Sequence, residues 1–116
     1  MGIQDLAENV ILVDAPAEPG LNEELKNVTD VVRERGDCDV VIDFSHVDIV
    51  TSSSLSKLLK LRKVLIDCDH QLVLCNVAHA TKGIFSITAL DGIFEMADDQ
   101  FAALTALGNQ PANQKL

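Results

Sequence analysis

The fold is decided by residues 39–66, DVVIDFSHVDIVTSSSLSKLLKLRKVLI. An aliphatic run ends at Asp43, and a second short apolar step leads into four consecutive hydroxyl residues, Thr51–Ser54. Leucines then recur at spacings of three and four residues, which predicts an amphipathic helix from Ser53 to about Asp67. The stretch therefore predicts a strand, a loop and a helix that opens on hydroxyl groups.

The segments on either side alternate between strand and helix patterns in the same way. Strands are predicted at 9–14, 39–44, 71–76 and 94–97, and helices at 22–35, 53–67, 78–90 and 98–107. Asn22 and Asp98 are predicted to be helix N-caps, and Gly36 is predicted to end its helix. This alternation predicts an α/β fold with about four strands in a mostly parallel or mixed sheet, flanked by about four α-helices. We expect one domain over residues 1–107 and a disordered tail over 108–116.

Composition and charge exclude several classes of protein. The chain has 116 residues, 47% hydrophobic content and a net charge of −9 at pH 7. This length allows one domain with a proper core, and the negative charge argues against nucleic acid as a general partner. The N-terminus lacks the basic and apolar regions of a signal peptide, and no apolar stretch approaches the roughly 18–20 residues that span a bilayer. We expect a cytoplasmic protein that does not insert into a membrane.

The residue spacings match neither a standard metal site nor a standard hydrolase motif. His70 and His79 fit no standard metal pattern, and the spacing of the three cysteines fits no zinc site. We expect no cofactor, and reduced, mostly buried thiols at Cys38, Cys68 and Cys75. A hydrolase could use Ser53 as its nucleophile with His46 nearby, but the chain contains no GxSxG motif. We therefore expect a protein that is not an enzyme.

The predicted helix separates its side chains into an apolar and a polar face. A wheel at about 100° per residue places Ser53 on the polar side, nearly in line with Lys57, and Ser54 at the edge of the apolar stripe. A hydroxyl in this place can serve as a helix cap. It can equally accept a phosphate, because the positive end of the helix and a lysine one turn away favour an anion. The local pattern leaves both interpretations open.

The motifs in this stretch resemble those of the STAS domain, found in bacterial anti-sigma factor antagonists and in sulphate transporter tails. In the antagonists, a strand ending in Asp-Leu-Ser leads to a segment like Phe-Met-Asp-Ser-Ser-Gly-Leu-Gly and then to a Leu-rich helix. Asp43-Phe44-Ser45 corresponds to the first piece, and residues 49–56, IVTSSSLS, to the second. The later segments QLVLCNV and IFSITALDGIF are also similar to the family, so the resemblance covers about residues 8–107.

The resemblance implies a regulatory switch that works by protein–protein binding. In the antagonists, an anti-sigma factor kinase phosphorylates the second serine of the pair, which corresponds to Ser53. The unphosphorylated form binds this kinase and frees the sigma factor, and a phosphatase resets the system. Ser52 and Thr51 are the alternative acceptors. The partner is expected to contact Thr51, Ser52, Ser53, Ser54 and Lys57.

The sequence departs from the family pattern within the motif itself. Thr51 replaces the family's Asp, and Ser54 and Ser56 replace two glycines. The loop APAEPGLN, residues 15–22, stands where the family usually has Gly-x-Leu-Asp after its first strand. A second role therefore stays open, as a STAS scaffold that is not phosphorylated or as the small cytoplasmic subunit of a lipid-transport ATPase.

Overall fold

A computed structural model of the protein describes residues 2–7, 9–88, 90 and 92–108. The strands within these ranges are β1 (Gly2–Ala7), β2 (Val10–Asp14), β3 (Asp39–Asp43), β4 (Leu72–Cys75) and β5 (Glu95–Ala97). The helices are α1 (Gly20–Arg35), α2 (Ser52–Asp67), α3 (His79–Ile87) and α4 (Gln100–Ala106). The predicted alternation of strands and helices is confirmed, with boundaries that differ by one to three residues.

The strands form one mixed sheet in the order β1-β2-β3-β4-β5. β2, β3, β4 and β5 pair in parallel, and β1 pairs antiparallel with β2. The predicted number of about four strands was one too low, because β1 lacks the alternation that marks a strand in sequence. Its apolar side chains Ile3 and Leu6 pack on opposite faces of the sheet. The strand also lies at an edge, where it pairs on one side only.

The sheet separates two apolar layers, because successive side chains of a strand point to opposite faces. Ile11 and Val13 of β2 contribute to the larger layer, which α1, α2 and α3 cover. Val10 and Leu12 of the same strand contribute to the smaller layer, which α4 covers through Ala103. The buried positions of β3 and β4 are therefore aliphatic, apart from Asp43 and Cys75 at the strand ends.

Two predicted helix caps are wrong. α1 begins at Gly20 with Pro19 in the N-cap position, so Asn22 lies within the first turn and is free for another contact. Asp99, rather than Asp98, is the N-cap of α4, and its Oδ1 accepts a hydrogen bond from the Ala102 N–H at 2.8 Å. Both errors are small displacements along the chain, which a preference for Asn and Asp at caps does not resolve.

The ends of the other elements agree better with the sequence. Gly36 follows α1 with φ of 72°, in the left-handed region that favours glycine, as predicted. Residues 109–116 of the predicted tail lie outside the described part of the chain. Across the described residues, the structure contains no helix with the length and apolar character needed to cross a membrane.

Parallel pairing brings three loops to one edge of the sheet. β2, β3 and β4 end at this edge, and the loops that follow them lead into α1, α2 and α3. Backbone hydrogen bonds tie the strand ends together: the Ala15 N–H donates to the Asp43 carbonyl at 3.1 Å, and the Phe44 N–H to the Cys75 carbonyl at 2.9 Å. The hydroxyl cluster at the start of α2 lies at this edge, beyond the carboxyl ends of the strands, where α/β proteins commonly bind ligands.

Candidate functional site

Thr51 begins the site by capping α2. Its backbone is extended, with φ of −78° and ψ of 161°, and its Oγ1 accepts a hydrogen bond from the Ser54 N–H at 3.1 Å. The Leu55 N–H donates to the Thr51 carbonyl at 2.9 Å, which closes the first turn. The capping role of the hydroxyl cluster therefore belongs to Thr51, and the serines that follow are not needed for it.

Ser53 lies in the first turn of α2 with its side chain exposed, as the helical wheel predicted. Its Oγ accepts a hydrogen bond from Asn22 Nδ2 at 2.7 Å. This contact joins the first turn of α2 to the first turn of α1 across 31 residues of sequence. Ser53 is thus held in one orientation while it remains accessible to solvent.

Ser54 points the other way, as the wheel also predicted. Its side chain is 0% exposed and contributes to the interior below the start of α2. Among the residues that the structure describes, no group lies within hydrogen-bonding geometry of its Oγ. The side chain is small enough to fit in this buried position below the start of α2.

Glu18, from the loop between β2 and α1, braces the cap of α2. Its Oε2 accepts hydrogen bonds from the Thr51 N–H at 3.0 Å and from the Thr51 hydroxyl at 3.2 Å. Partial burial acts to raise the pKa of Glu18, but Ser54 and Thr51 outweigh it and leave the pKa below its ordinary value. The Ser54 hydroxyl faces this carboxylate, although its Oγ lies outside strict hydrogen-bonding geometry. The Glu18 carboxylate is therefore ionised near neutral pH.

Asp43, at the end of β3, accepts hydrogen bonds from three neighbouring segments at the same edge of the sheet. It is 6% exposed, and its Oδ1 accepts hydrogen bonds from the N–H and the hydroxyl of Ser45. Its Oδ2 accepts from Asn76 Nδ2 at 3.2 Å and from Gln100 Nε2 at 2.8 Å. Burial acts to raise the pKa of Asp43, but these hydrogen bonds prevail and hold the pKa below its ordinary value. One carboxylate thereby connects the loop after β3, the loop after β4 and the start of α4.

The structure brings together most of the residues predicted to contact a partner. Thr51, Ser52 and Ser53 are exposed at the start of α2, whereas Ser54 is buried and cannot contact a partner directly. Lys57 lies one turn further along α2 and is half-buried, lining a groove between α1 and α2. The prediction that Ser54 belongs to the contact surface is therefore wrong, because its side chain faces the core.

The structure also locates other side chains that the sequence singled out. His70 Nδ1 lies 3.0 Å from Asp39 Oδ1, at the opposite end of β3. No group of three or more His, Cys, Asp or Glu side chains able to hold a metal ion occurs within the described ranges. Cys38 and Cys75 are buried and Cys68 is exposed.

The fold and the motif identify the family. The family model of the STAS domain matches residues 13–103. The chain belongs to the STAS domain family. Its departures from the family motif now have a structural account, because Thr51 caps α2 in place of the family's Asp and the Ser54 side chain fits inside the core in place of a glycine.

Individual proteins share sequence or fold with this chain. The chain is 30% identical over 73 residues to BtrV of Bordetella bronchiseptica, named as a candidate anti-sigma factor antagonist. That match covers 63% of this chain and 63% of the relative's length. The structure is similar to an anti-sigma factor antagonist (STAS) domain protein from Planctomyces limnophilus, with a TM-score of 0.77, 18% identity and coverage of 91% and 96% of the two chains. It is also similar to the Bacillus cell fate determinant SpoIIAA in its phosphorylated form, with a TM-score of 0.66, 14% identity and coverage of 90% and 97%.

The sequence did not indicate that two side chains, Glu18 and Asn22, belong to this STAS site. Both lie in or next to the loop after β2, and each contacts a residue more than 30 positions away. The alternation of strands and helices could have indicated that this loop belongs to the site. It predicts a parallel sheet, in which the loops after consecutive strands lie at one edge. The spacing of residues within the loop does not indicate which of its side chains reach the start of α2.

Proposed function

We propose that this STAS domain is an anti-sigma factor antagonist whose binding to a partner is switched by phosphorylation of Ser53. The partner is an anti-sigma factor kinase, and a phosphatase resets the domain. The domain itself is not an enzyme and needs no cofactor. It acts in the cytoplasm, where sigma factors and their regulators work.

One observation carries this proposal: Ser53 is exposed and accepts a hydrogen bond from Asn22, while Thr51 and Ser54 are engaged in the fold. Thr51 caps α2 and Ser54 is buried, so modification of either would disturb the start of the helix. Ser52 is also exposed and remains the alternative acceptor. Ser53 is favoured over Ser52 because it matches the second serine of the family motif and has an amide donor in place for a phosphate oxygen.

The reaction places little demand on this chain. The Ser53 Oγ attacks the γ-phosphorus of ATP bound to the kinase, the bond to ADP breaks, and the hydroxyl proton passes to a base of the kinase. The phosphate then lies at the start of α2, where free N–H groups and the helix dipole favour an anion by about 0.3–1 kcal/mol. A hydrolytic phosphatase returns the serine and releases inorganic phosphate. The fold is expected to persist through this cycle.

Phosphorylation would change the surface that a partner meets. It adds a charge of about −1.5 to −2 to an exposed position that is otherwise neutral. A partner that fits the free serine closely must then accommodate and desolvate this charge, so its affinity falls. The proposed switch therefore works through the surface around Thr51, Ser52, Ser53 and Lys57 rather than through refolding.

A binding experiment with charge variants tests the proposal. Ser53→Ala and Ser53→Asp would each be titrated with the purified anti-sigma factor kinases of the same organism, and Ser52→Asp serves as a control of equal charge at the adjacent exposed position. We expect Ser53→Ala to bind like the unmodified protein, Ser53→Asp to bind at least about tenfold more weakly, and Ser52→Asp to be affected less. Equal affinities for Ser53→Ala and Ser53→Asp would rule out the switch and favour a permanent scaffold.

A further inference from the structure

The groove between α1 and α2 carries an unusual share of the positive charge of the molecule. It has a volume of about 400 Å³ and is lined by Lys26, Thr29, Asp30, Arg33, Ser56, Lys57 and Lys60. Four of the nine Lys and Arg residues of the chain thus meet here, with one carboxylate, in a protein of net charge −9. We call these residues the basic groove.

Most of the positive charge in the basic groove is not neutralised. Lys26 Nζ lies 3.9 Å from Asp30 Oδ2 in an exposed pair one turn apart on α1. Arg33, Lys57 and Lys60 form no ion pair with any residue that the structure describes. Three unpaired cations from two helices repel one another in this groove, and an external anion would relieve that repulsion.

The basic groove is continuous with the proposed switch residue. α1 and α2 follow consecutive parallel strands and therefore run in the same direction, and the Asn22–Ser53 hydrogen bond joins their first turns. Lys26 follows Asn22 by one helical turn, and Lys57 follows Ser53 by one helical turn. A polypeptide bound over Ser53 thus has the basic groove directly along its path.

We propose that the basic groove binds an acidic segment of the protein that reads Ser53. The inference rests on the proposed function, since it names a second contact of the same partner. The groove lies along the flanks of two helices, where backbone N–H groups are already bonded, so it offers no amide cradle for a phosphate. Cations on long side chains instead suit carboxylates distributed along a peptide. The net charge of −9 disfavours an extended polyanion such as nucleic acid.

The two contacts explain how one phosphate could release a partner. A phosphate on Ser53 would lie one helical turn from Lys57 and would partly neutralise the entrance of the basic groove. The same charge would repel the carboxylates of an acidic segment already bound there. The groove thus makes binding sensitive to phosphorylation beyond the contact with Ser53 itself.

An NMR titration tests the basic groove without the partner. The ¹⁵N-labelled protein would be titrated with a hexaglutamate peptide at low salt, and with a hexalysine peptide as a control. We expect amide shifts that cluster on residues 26–33 and 56–60 with hexaglutamate only. Lys57→Gln/Lys60→Gln should weaken hexaglutamate binding by about three- to tenfold, whereas Lys63→Gln/Lys82→Gln, which removes the same charge outside the groove, should leave it unchanged.

Other results would overturn the inference. Equal weakening by the two double variants, or shifts spread over the whole surface, would indicate only a general charge effect. Equal shifts from inorganic phosphate or ATP at the same ionic strength would indicate a small-anion site instead of a peptide site. Ser53→Ala should bind hexaglutamate like the unmodified protein, so this titration can fail or succeed independently of the switch at Ser53.

Discussion

Asn22 Nδ2 donates a hydrogen bond to Ser53 Oγ over 2.7 Å, and so joins the first turn of α1 to the first turn of α2. Asn22 reaches this position because α1 begins two residues before it, at Gly20. The amide group leaves one side of the serine oxygen accessible and would remain a donor to a phosphate on that oxygen. The segment after β2, which departs from the family pattern in sequence, therefore still supports the serine motif.

The opposite orientations of Ser53 and Ser54 predict opposite responses to the same substitution. Ser53→Asp places a charge at an exposed position near a helix N-terminus and should change the free energy of unfolding by less than about 1 kcal/mol. Ser54→Asp buries a charge among apolar side chains and should lower it by about 3 kcal/mol or more. Urea unfolding monitored by circular dichroism measures both.

Ser54→Ala provides a matched control for the same position. It removes a buried hydroxyl that lacks a partner in strict hydrogen-bonding geometry among the described residues but faces the Glu18 carboxylate, so stability should change by less than about 1 kcal/mol. A larger loss from Ser54→Ala would show that the hydroxyl has a hydrogen-bonding partner. A Ser54→Asp variant as stable as the unmodified protein would show that the side chain does not face the core.

Stability should decrease at acid pH because of Asp43. Its pKa is lowered in the folded state, so its contribution is fully present above the ordinary aspartate pKa and is lost as the pH falls through the lower, folded value. Asp43→Asn should lower the free energy of unfolding by about 2–3 kcal/mol at pH 7. It should also reduce the decline in stability between about pH 5 and pH 3. The pKa of Glu18 is also lowered in the folded state, so Glu18 likewise stabilises the protein less at acid pH. Some decline in stability should therefore persist in Asp43→Asn.

Gln100 should hold α4 against the sheet through the same carboxylate. Its Nε2 donates to Asp43 Oδ2 at 2.8 Å, and a hydrogen bond to an ionised group contributes about 1.5–3 kcal/mol. Gln100→Ala should therefore destabilise the protein by about that amount and speed amide hydrogen exchange in α4. Gln71→Ala, at an exposed position outside this network, should do neither. Equal effects of the two variants would contradict the role of Gln100.

The three cysteines should differ in reactivity. Cys68 is exposed, whereas Cys38 and Cys75 are buried. Burial also raises the pKa of Cys38, and raises that of Cys75 to about 12, which suppresses their reactive thiolate forms. A thiol-specific chromogenic reagent should modify one cysteine rapidly in the native protein and all three in denaturant. Rapid loss of two or three thiols under native conditions would contradict the burial of Cys38, Cys75 or both.

The sequence could predict the features that depend on local periodicity. The leucines of α2 have a clear helical spacing, so the outward position of Ser53 and the inward position of Ser54 followed from the angle between them. The aliphatic runs of β3 and β4 identified buried parallel strands for the same reason. These features depend on neighbouring residues within one element.

The features that the sequence did not reveal depend on how distant elements meet. The contacts of Glu18 with Thr51 and of Asn22 with Ser53 bridge 33 and 31 positions, and their distances follow only from the packing of α1 beside α2. β1 was not predicted because its two apolar side chains pack on different faces of the sheet. The basic groove likewise combines charges from two helices, and each helix alone has the charge pattern of an ordinary solvated surface.

Locating the phosphate on the native protein decides whether Ser53 is the switch residue. Mass spectrometry of the protein isolated from its own cells, with fragmentation across residues 51–54, would locate any phosphate to a single hydroxyl. We predict phosphate on Ser53, which should disappear from a strain carrying Ser53→Ala and persist in one carrying Ser52→Ala. Phosphate on Ser52 or Thr51 instead, or no phosphate under any condition in which the cognate kinase is active, would contradict it.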